Sequence, residues 1–117
     1  MHRITALAAA IALSATAAQA HPKLLSASPA ANASDPTPAA IKLAYSETLV
    51  GKFCRIGLTD AAGHTVALGP TTLGADRKQL SAAVKQPLAP GAYKVSWTAV
   101  STDTHRVSGS YGFTVSR

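Results

Sequence analysis

The stretch Leu88-Ala89-Pro90-Gly91-Ala92-Tyr93-Lys94-Val95-Ser96-Trp97-Thr98-Ala99-Val100 decides the fold. Tyr93, Val95, Trp97 and Ala99 alternate with Lys94, Ser96, Thr98 and Val100, the period of two that turns one side of a strand into a core and the other toward water. Pro90-Gly91 ahead of it reads as a turn, because proline presets one backbone torsion and glycine removes the side chain that would obstruct the reversal. A tyrosine at the start of a late strand, just beyond such a turn, matches the tyrosine corner of immunoglobulin-like sandwiches, where its hydroxyl bonds back to upstream backbone.

The same pattern extends in both directions. Downstream, residues 108–115 place Tyr111, Phe113 and Val115 on one face. Upstream, Ile41, Leu43 and Tyr45 alternate with Lys42, Ala44 and Ser46, and residues 54–59 form a further strand with Cys54, Ile56 and Leu58 inward. Asp60-Ala61-Ala62-Gly63 is a turn leading into a strand at 65–68; residues 79–84 form another, and 23–28 a short edge strand closed by Pro29. The Pro-containing segment 30–38 and the Gly-containing segment 69–77 are predicted loops. About seven short strands separated by turn signals, without an amphipathic helix, define an all-β chain: an immunoglobulin-like Greek-key β-sandwich or barrel.

Residues 1–20 have the composition of a targeting segment. Met1-His2-Arg3 gives a positive start, residues 4–18 carry no charge, and Ala18-Gln19-Ala20 fits the small-residue pattern after which signal peptidase cuts. The expected division is a signal peptide at 1–20 and one domain at 21–117, exported, with no later segment apolar enough to enter a bilayer. Without Arg3 the domain keeps ten Lys and Arg against five Asp and Glu. These cations are scattered along the chain with one adjacent pair, Arg77-Lys78, which argues against a nucleic-acid footprint. The lone cysteine, Cys54, excludes an internal disulfide and is expected in the core, with a Cu(I)-thiolate role as the alternative.

The chemistry gathers in Ser101-Thr102-Asp103-Thr104-His105-Arg106-Val107-Ser108-Gly109. If the backbone is extended, Asp103 and His105 leave the same face with Cα atoms roughly 6.6 Å apart. Cleavage after Ala20 would make His21 the first residue, adding a free amine and a second imidazole. Amine, two imidazoles and a carboxylate form a donor set suited to tetragonal Cu(II). Pro22 has no N–H to lose, so a site built on deprotonated amides is closed and chelation by one residue's amine and imidazole remains. Amines ordinarily titrate at about 7.7–8.0 and imidazoles at about 6.5, so copper affinity should fall below about pH 6. The plain alternative is a strand-end pair in which Asp103 accepts loop N–H bonds and His105 faces water. His64 is expected to be a solvated turn residue, and Glu47 a surface carboxylate or a weak contributor near the metal.

Together with His21-Pro22-Lys23-Leu24, Ser28-Pro29-Ala30, Leu43-Ala44-Tyr45-Ser46-Glu47 and Leu58-Thr59-Asp60-Ala61-Ala62-Gly63, the segments from Pro90 to Gly109 resemble the CopC family of periplasmic copper-binding proteins. The resemblance implies a small Greek-key β-domain holding Cu(II) through His21, Asp103 and His105, with Glu47 at an acidic position nearby. It also implies a role in copper homeostasis or resistance beside a CopD-type inner-membrane permease. Family members with a methionine-rich loop also bind Cu(I); the single methionine here is Met1, so that second site is expected to be missing. Two other functions stay open: a metal-free interaction module, and a copper-dependent oxidative enzyme acting on polysaccharide.

Overall fold

The computed structural model describes residues 21–116. The expected signal peptide lies outside the described residues. Among the described residues eight strands form two sheets: β1 (Leu24–Ser28), β2 (Ser34–Asp35), β3 (Ala40–Tyr45), β4 (Arg55–Asp60), β5 (Thr72–Leu73), β6 (Gln79–Ala83), β7 (Gly91–Val100) and β8 (Arg106–Val115). One sheet has the order β1-β3-β6-β5, the other β2-β8-β7-β4. The chain changes sheets at each step from β1 to β5 and again from β6 to β7, while β5–β6 and β7–β8 stay within one sheet, the Greek-key sandwich that the turn spacing predicts. A 3₁₀ turn at Gly51–Phe53 leads into β4.

The alternating residues supply the core. Ile41, Leu43 and Tyr45 of β3, Val95 and Ala99 of β7, and Phe113 and Val115 of β8 are all buried, joined by Leu49, Leu58 and Leu80 from between and beside them. The tyrosine corner is present: the Tyr93 hydroxyl donates to the Ala89 carbonyl at 2.7 Å. Tyr93 also stacks on Phe113, with ring centroids 5.8 Å apart. Cys54 is buried just ahead of β4, its Sγ donating to the Val50 carbonyl at 3.3 Å and accepting from the Val100 N–H at 3.4 Å. It is a core residue that ties the 3₁₀ turn to β7, as the sequence suggested.

Residues 65–68 do not form the expected strand. Thr65 bridges Thr59 of one sheet while Leu68 bridges Val84 beside the other. A segment that splits its pairing between two sheets cannot build a ladder with either. Conversely, β2 and β5 lie in the predicted loops. Each is two residues long, too short to carry a period, and each exists because a longer neighbour, β8 or β6, offers an edge.

Turn chemistry sets the end of the sandwich where Asp60 pairs with Tyr93. Asp60 Oδ1 accepts from the Ala62 and His64 N–H groups at 3.0 and 2.9 Å, and Gly63 between them has φ +82°, a torsion side chains disfavour. These bonds, the one from His64 foremost, hold the Asp60 carboxyl below the ordinary carboxylate range. His64 itself is a solvated turn residue, as expected, with its Nδ1 3.5 Å from Asp60. It sits at the opposite end of the sheet from Val100 and Arg106, which pair at the far end of the β7–β8 hairpin.

Candidate metal centre

That far end of the hairpin carries Asp103 and His105, and their convergence has a different origin from the one expected. Residues 101–105 are a tight turn: Ser101 N–H donates to the His105 carbonyl and Thr104 N–H to the Ser101 carbonyl, both at 2.9 Å. Thr104 takes φ +73°, rare for a β-branched residue. The reversal, rather than an extended face, aims both side chains at one place. His105 Nδ1 lies 3.1 Å from Asp103 Oδ2.

Ser101 organises the turn from below. It is buried, 2% exposed, and its hydroxyl donates to Asp103 Oδ1. That bond first, and His105 after it, hold the Asp103 carboxyl below the ordinary carboxylate range. Asp103 therefore remains an anion throughout the neutral and mildly acid range.

His21 is brought to the same place by a separate set of fasteners. Pro22 is fully buried. Lys23 N–H donates to Ser46 Oγ and Ser46 N–H to the Lys23 carbonyl, both at 2.9 Å. The chain that follows Ser46 then crosses to the turn: Thr102 N–H donates to the Thr48 carbonyl at 3.0 Å, and Leu49 bridges Ser101. One segment, 46–49, thus holds residue 23 on one side and residue 102 on the other. The result is an edge-to-face contact between the His21 and His105 rings, with centroids 4.9 Å apart. Glu47, half-buried, lies in this bridging segment between two pinned neighbours.

The contacts run from His21 to His105 and from His105 to Asp103. Among the described residues no three His, Cys, Asp or Glu side chains form a finished metal cage. Two features nonetheless fit a copper ion. His105 Nδ1 is shielded from solvent and has no aligned hydrogen-bond partner, because the carboxylate beside it meets the distance and not the direction. Two donors bonded at about 2.0 Å to one ion at right angles sit about 2.8 Å apart, close to the 3.1 Å observed. In the full chain the His21 nitrogen is a peptide nitrogen, so an amine donor arises only after cleavage.

Ser101 and Ser46 were not identified as functional from sequence. The only signal was their place in the quoted motifs, Ser101 two residues before Asp103 and Ser46 one before Glu47. Cys54, engaged by backbone groups of Val50 and Val100, is not part of the cluster.

The fold and this cluster place the chain among small β-sandwiches that carry mixed nitrogen and oxygen donors at one end. Residues 24–116 match the CopC domain. Copper resistance protein C of Pseudomonas syringae pv. tomato is 40% identical over 118 residues, covering 96% of this chain and 93% of that protein. Copper resistance protein C of Escherichia coli is 37% identical, covering 86% of each. The crystal structure of PcoC, a methionine-rich copper resistance protein from Escherichia coli, superimposes with a TM-score of 0.75 at 40% identity, covering 83% of this chain and all of that one. CopC from Methylosinus trichosporium OB3b gives 0.75 at 31% identity, covering 81% and 93%. The chain belongs to the CopC family. Its named relatives are copper resistance proteins and not enzymes, and family membership implies copper binding.

Proposed function

We propose that this protein is a periplasmic Cu(II) carrier or buffer, exported by the leader at 1–20 and released as residues 21–117. His21, through its new amine and its imidazole, Asp103 and His105 would hold the ion, with Glu47 close enough to add a weak contact. The observation that carries this reading is the junction of His21 with the Asp103–His105 pair, made by fasteners at Lys23, Ser46, Thr48 and Ser101. The bound ion supplies no reaction here; it is cargo. The residues orient it: the shielded His105 nitrogen has no aligned partner to give up, and the Asp103 carboxyl, held below the ordinary carboxylate range, offers an anionic oxygen. Delivery to a CopD-type inner-membrane permease is the partner the reading favours. With Met1 as the only methionine, a thioether Cu(I) site of the kind a methionine-rich relative could build has no ligands in the released domain.

The test is a Cu(II) titration followed by electron paramagnetic resonance, comparing protein beginning at His21 with protein carrying one extra N-terminal Gly. Tight one-to-one binding with a tetragonal, nitrogen-rich spectrum is expected for the first, weakened more than 100-fold in the second. Equal binding by both forms removes the amine from the ligand set.

Acid supplies a second expected result. Affinity should fall as pH drops below about 6, because protons return to the nitrogen donors. Asp103 does not contribute to that loss. Its carboxyl is depressed, so its stabilising bonds are complete above the ordinary carboxylate value and fade only as pH falls through the lowered one. Copper titrations by calorimetry between pH 5 and 8 check this, and a flat affinity would contradict it.

A further inference from the structure

Cations scattered along the sequence gather in space beside the metal turn. Lys52 of the 3₁₀ turn, Arg55 at the start of β4 and Arg106 at the start of β8 line a cavity of about 410 Å³ together with Phe53, Val100 and Thr104. Arg55 pairs with Thr98 and Arg106 with Val100, and Thr98 and Val100 share the outward face of β7, so both guanidinium groups leave the same solvent face of the sheet. All three cations are exposed, and no carboxylate lines the cavity. Among the described residues the ion pairs are His64–Asp60 and His105–Asp103, so none of the three is neutralised. Phe53 is 56% exposed and has the Lys52 ammonium 5.1 Å from its ring centroid.

Three like charges around one concavity repel one another unless an anion answers them. Two guanidinium forks bind carboxylates in bidentate fashion, the ammonium adds a point charge, and an aromatic face accepts a short carbon skeleton. The volume lies in the range of small-molecule sites. Thr104 belongs to both neighbourhoods: it lines this cavity and stands between Asp103 and His105.

We infer that the cavity is a subsite for a small polycarboxylate, and that copper arrives as an anionic Cu(II)–polycarboxylate chelate. This rests on the copper reading above. Lys52, Arg55 and Arg106 hold the chelator's unused carboxylates while the ion passes to His21, Asp103 and His105. The exchange is one of ligands: the chelator's carboxylate–copper bonds break, bonds from copper to the His21 and His105 nitrogens and to an Asp103 oxygen form, the metal stays Cu(II), and the protons displaced from nitrogen pass to solvent. The local positive field outweighs Asp103, whose charge would otherwise repel the chelate.

Both sheets and their core lie within residues 22–115, so the domain starting at His21 suits the experiment. Citrate is titrated into metal-free protein while amide resonances are followed. Saturable shifts are expected at residues 52–55 and 104–106, absent in a Lys52→Gln, Arg55→Gln, Arg106→Gln variant and not reproduced by chloride at equal ionic strength. Loading from Cu(II)–citrate should slow about tenfold in that variant, while loading from neutral Cu(II)–bis-glycinate is unchanged. No saturable citrate shift, shifts equalled by chloride, or equal slowing with both carriers would overturn the proposal. If the unsubstituted domain takes copper from neither carrier, the copper reading fails and the delivery step with it, whereas the metal-free titration still decides the anion subsite.

Discussion

Gly109→Ala is expected to lower the unfolding free energy by about 2 kcal/mol, the range for forcing a methyl into a packed site. A Cβ at this position would lie 2.4 Å from Trp97 Cζ2 and 2.8 Å from Cε2. Trp97 and Gly109 face each other across the β7–β8 pair, and the six-membered ring of the indole takes the space a side chain at 109 would need. The ring also packs against Tyr45, edge to face with centroids 5.4 Å apart. The indole cannot yield by a small torsional adjustment; either the hairpin spreads or the ring swings outward and leaves Tyr45. For a domain of this size a loss of about 2 kcal/mol lowers the midpoint of thermal unfolding by roughly 10 °C. Because Trp97 is the only tryptophan, its emission reports which escape occurs, and a red shift marks an indole released to water. An unchanged midpoint together with unchanged emission would refute this packing.

That result would separate two functions within the motif that stood out in the sequence. Asp103 and His105 belong to the turn, whereas Gly109, four residues later, serves the platform for Trp97. A glycine read only as part of a metal signature would be misread, since its space is taken by an indole.

What was legible in the sequence was whatever depends on short-range period. β3, β7 and β8 alternate cleanly, and Tyr93 follows its Pro-Gly turn, so their buried faces could be named in advance. What was not legible depends on where distant segments meet. Nothing in Thr65 to Leu68 distinguishes a strand from a segment shared between two sheets. Nothing about a threonine at 104 announces a positive φ, so the Asp103–His105 pair was placed on an extended face when a turn brings it together. The serines at 46 and 101 look like ordinary polar residues until their partners are on the page: Lys23, 23 positions from Ser46, and Asp103, two positions from Ser101 across the turn. Likewise Lys52, Arg55 and Arg106 are separated in sequence and unite only because β4 and β8 flank β7.

His105→Ala is expected to separate binding from folding. The backbone bonds that close the turn use the His105 carbonyl, which alanine keeps, and Asp103 keeps its bond from Ser101. The side chain removed carries a nitrogen that is shielded yet without an aligned partner, a burial cost whose relief offsets the lost attraction to the Asp103 carboxylate. Metal-free stability should therefore stay within about 0.5 kcal/mol of the parent, as for substitutions away from the core. Copper binding should weaken more than 100-fold, beyond the 10- to 100-fold typical of residues that merely support a ligand. The two effects meet in thermal unfolding with Cu(II) at about 100 times the parent's dissociation constant. There the parent gains about 2.7 kcal/mol, while a variant binding 100-fold more weakly gains about 0.4 kcal/mol. If His105 were instead a structural partner of Asp103, the pattern would invert, with a less stable metal-free protein and an intact rise on adding copper. Little change in metal-free stability beside a large loss of copper binding is the pair of results that would distinguish a binding site from a turn that happens to contain a histidine.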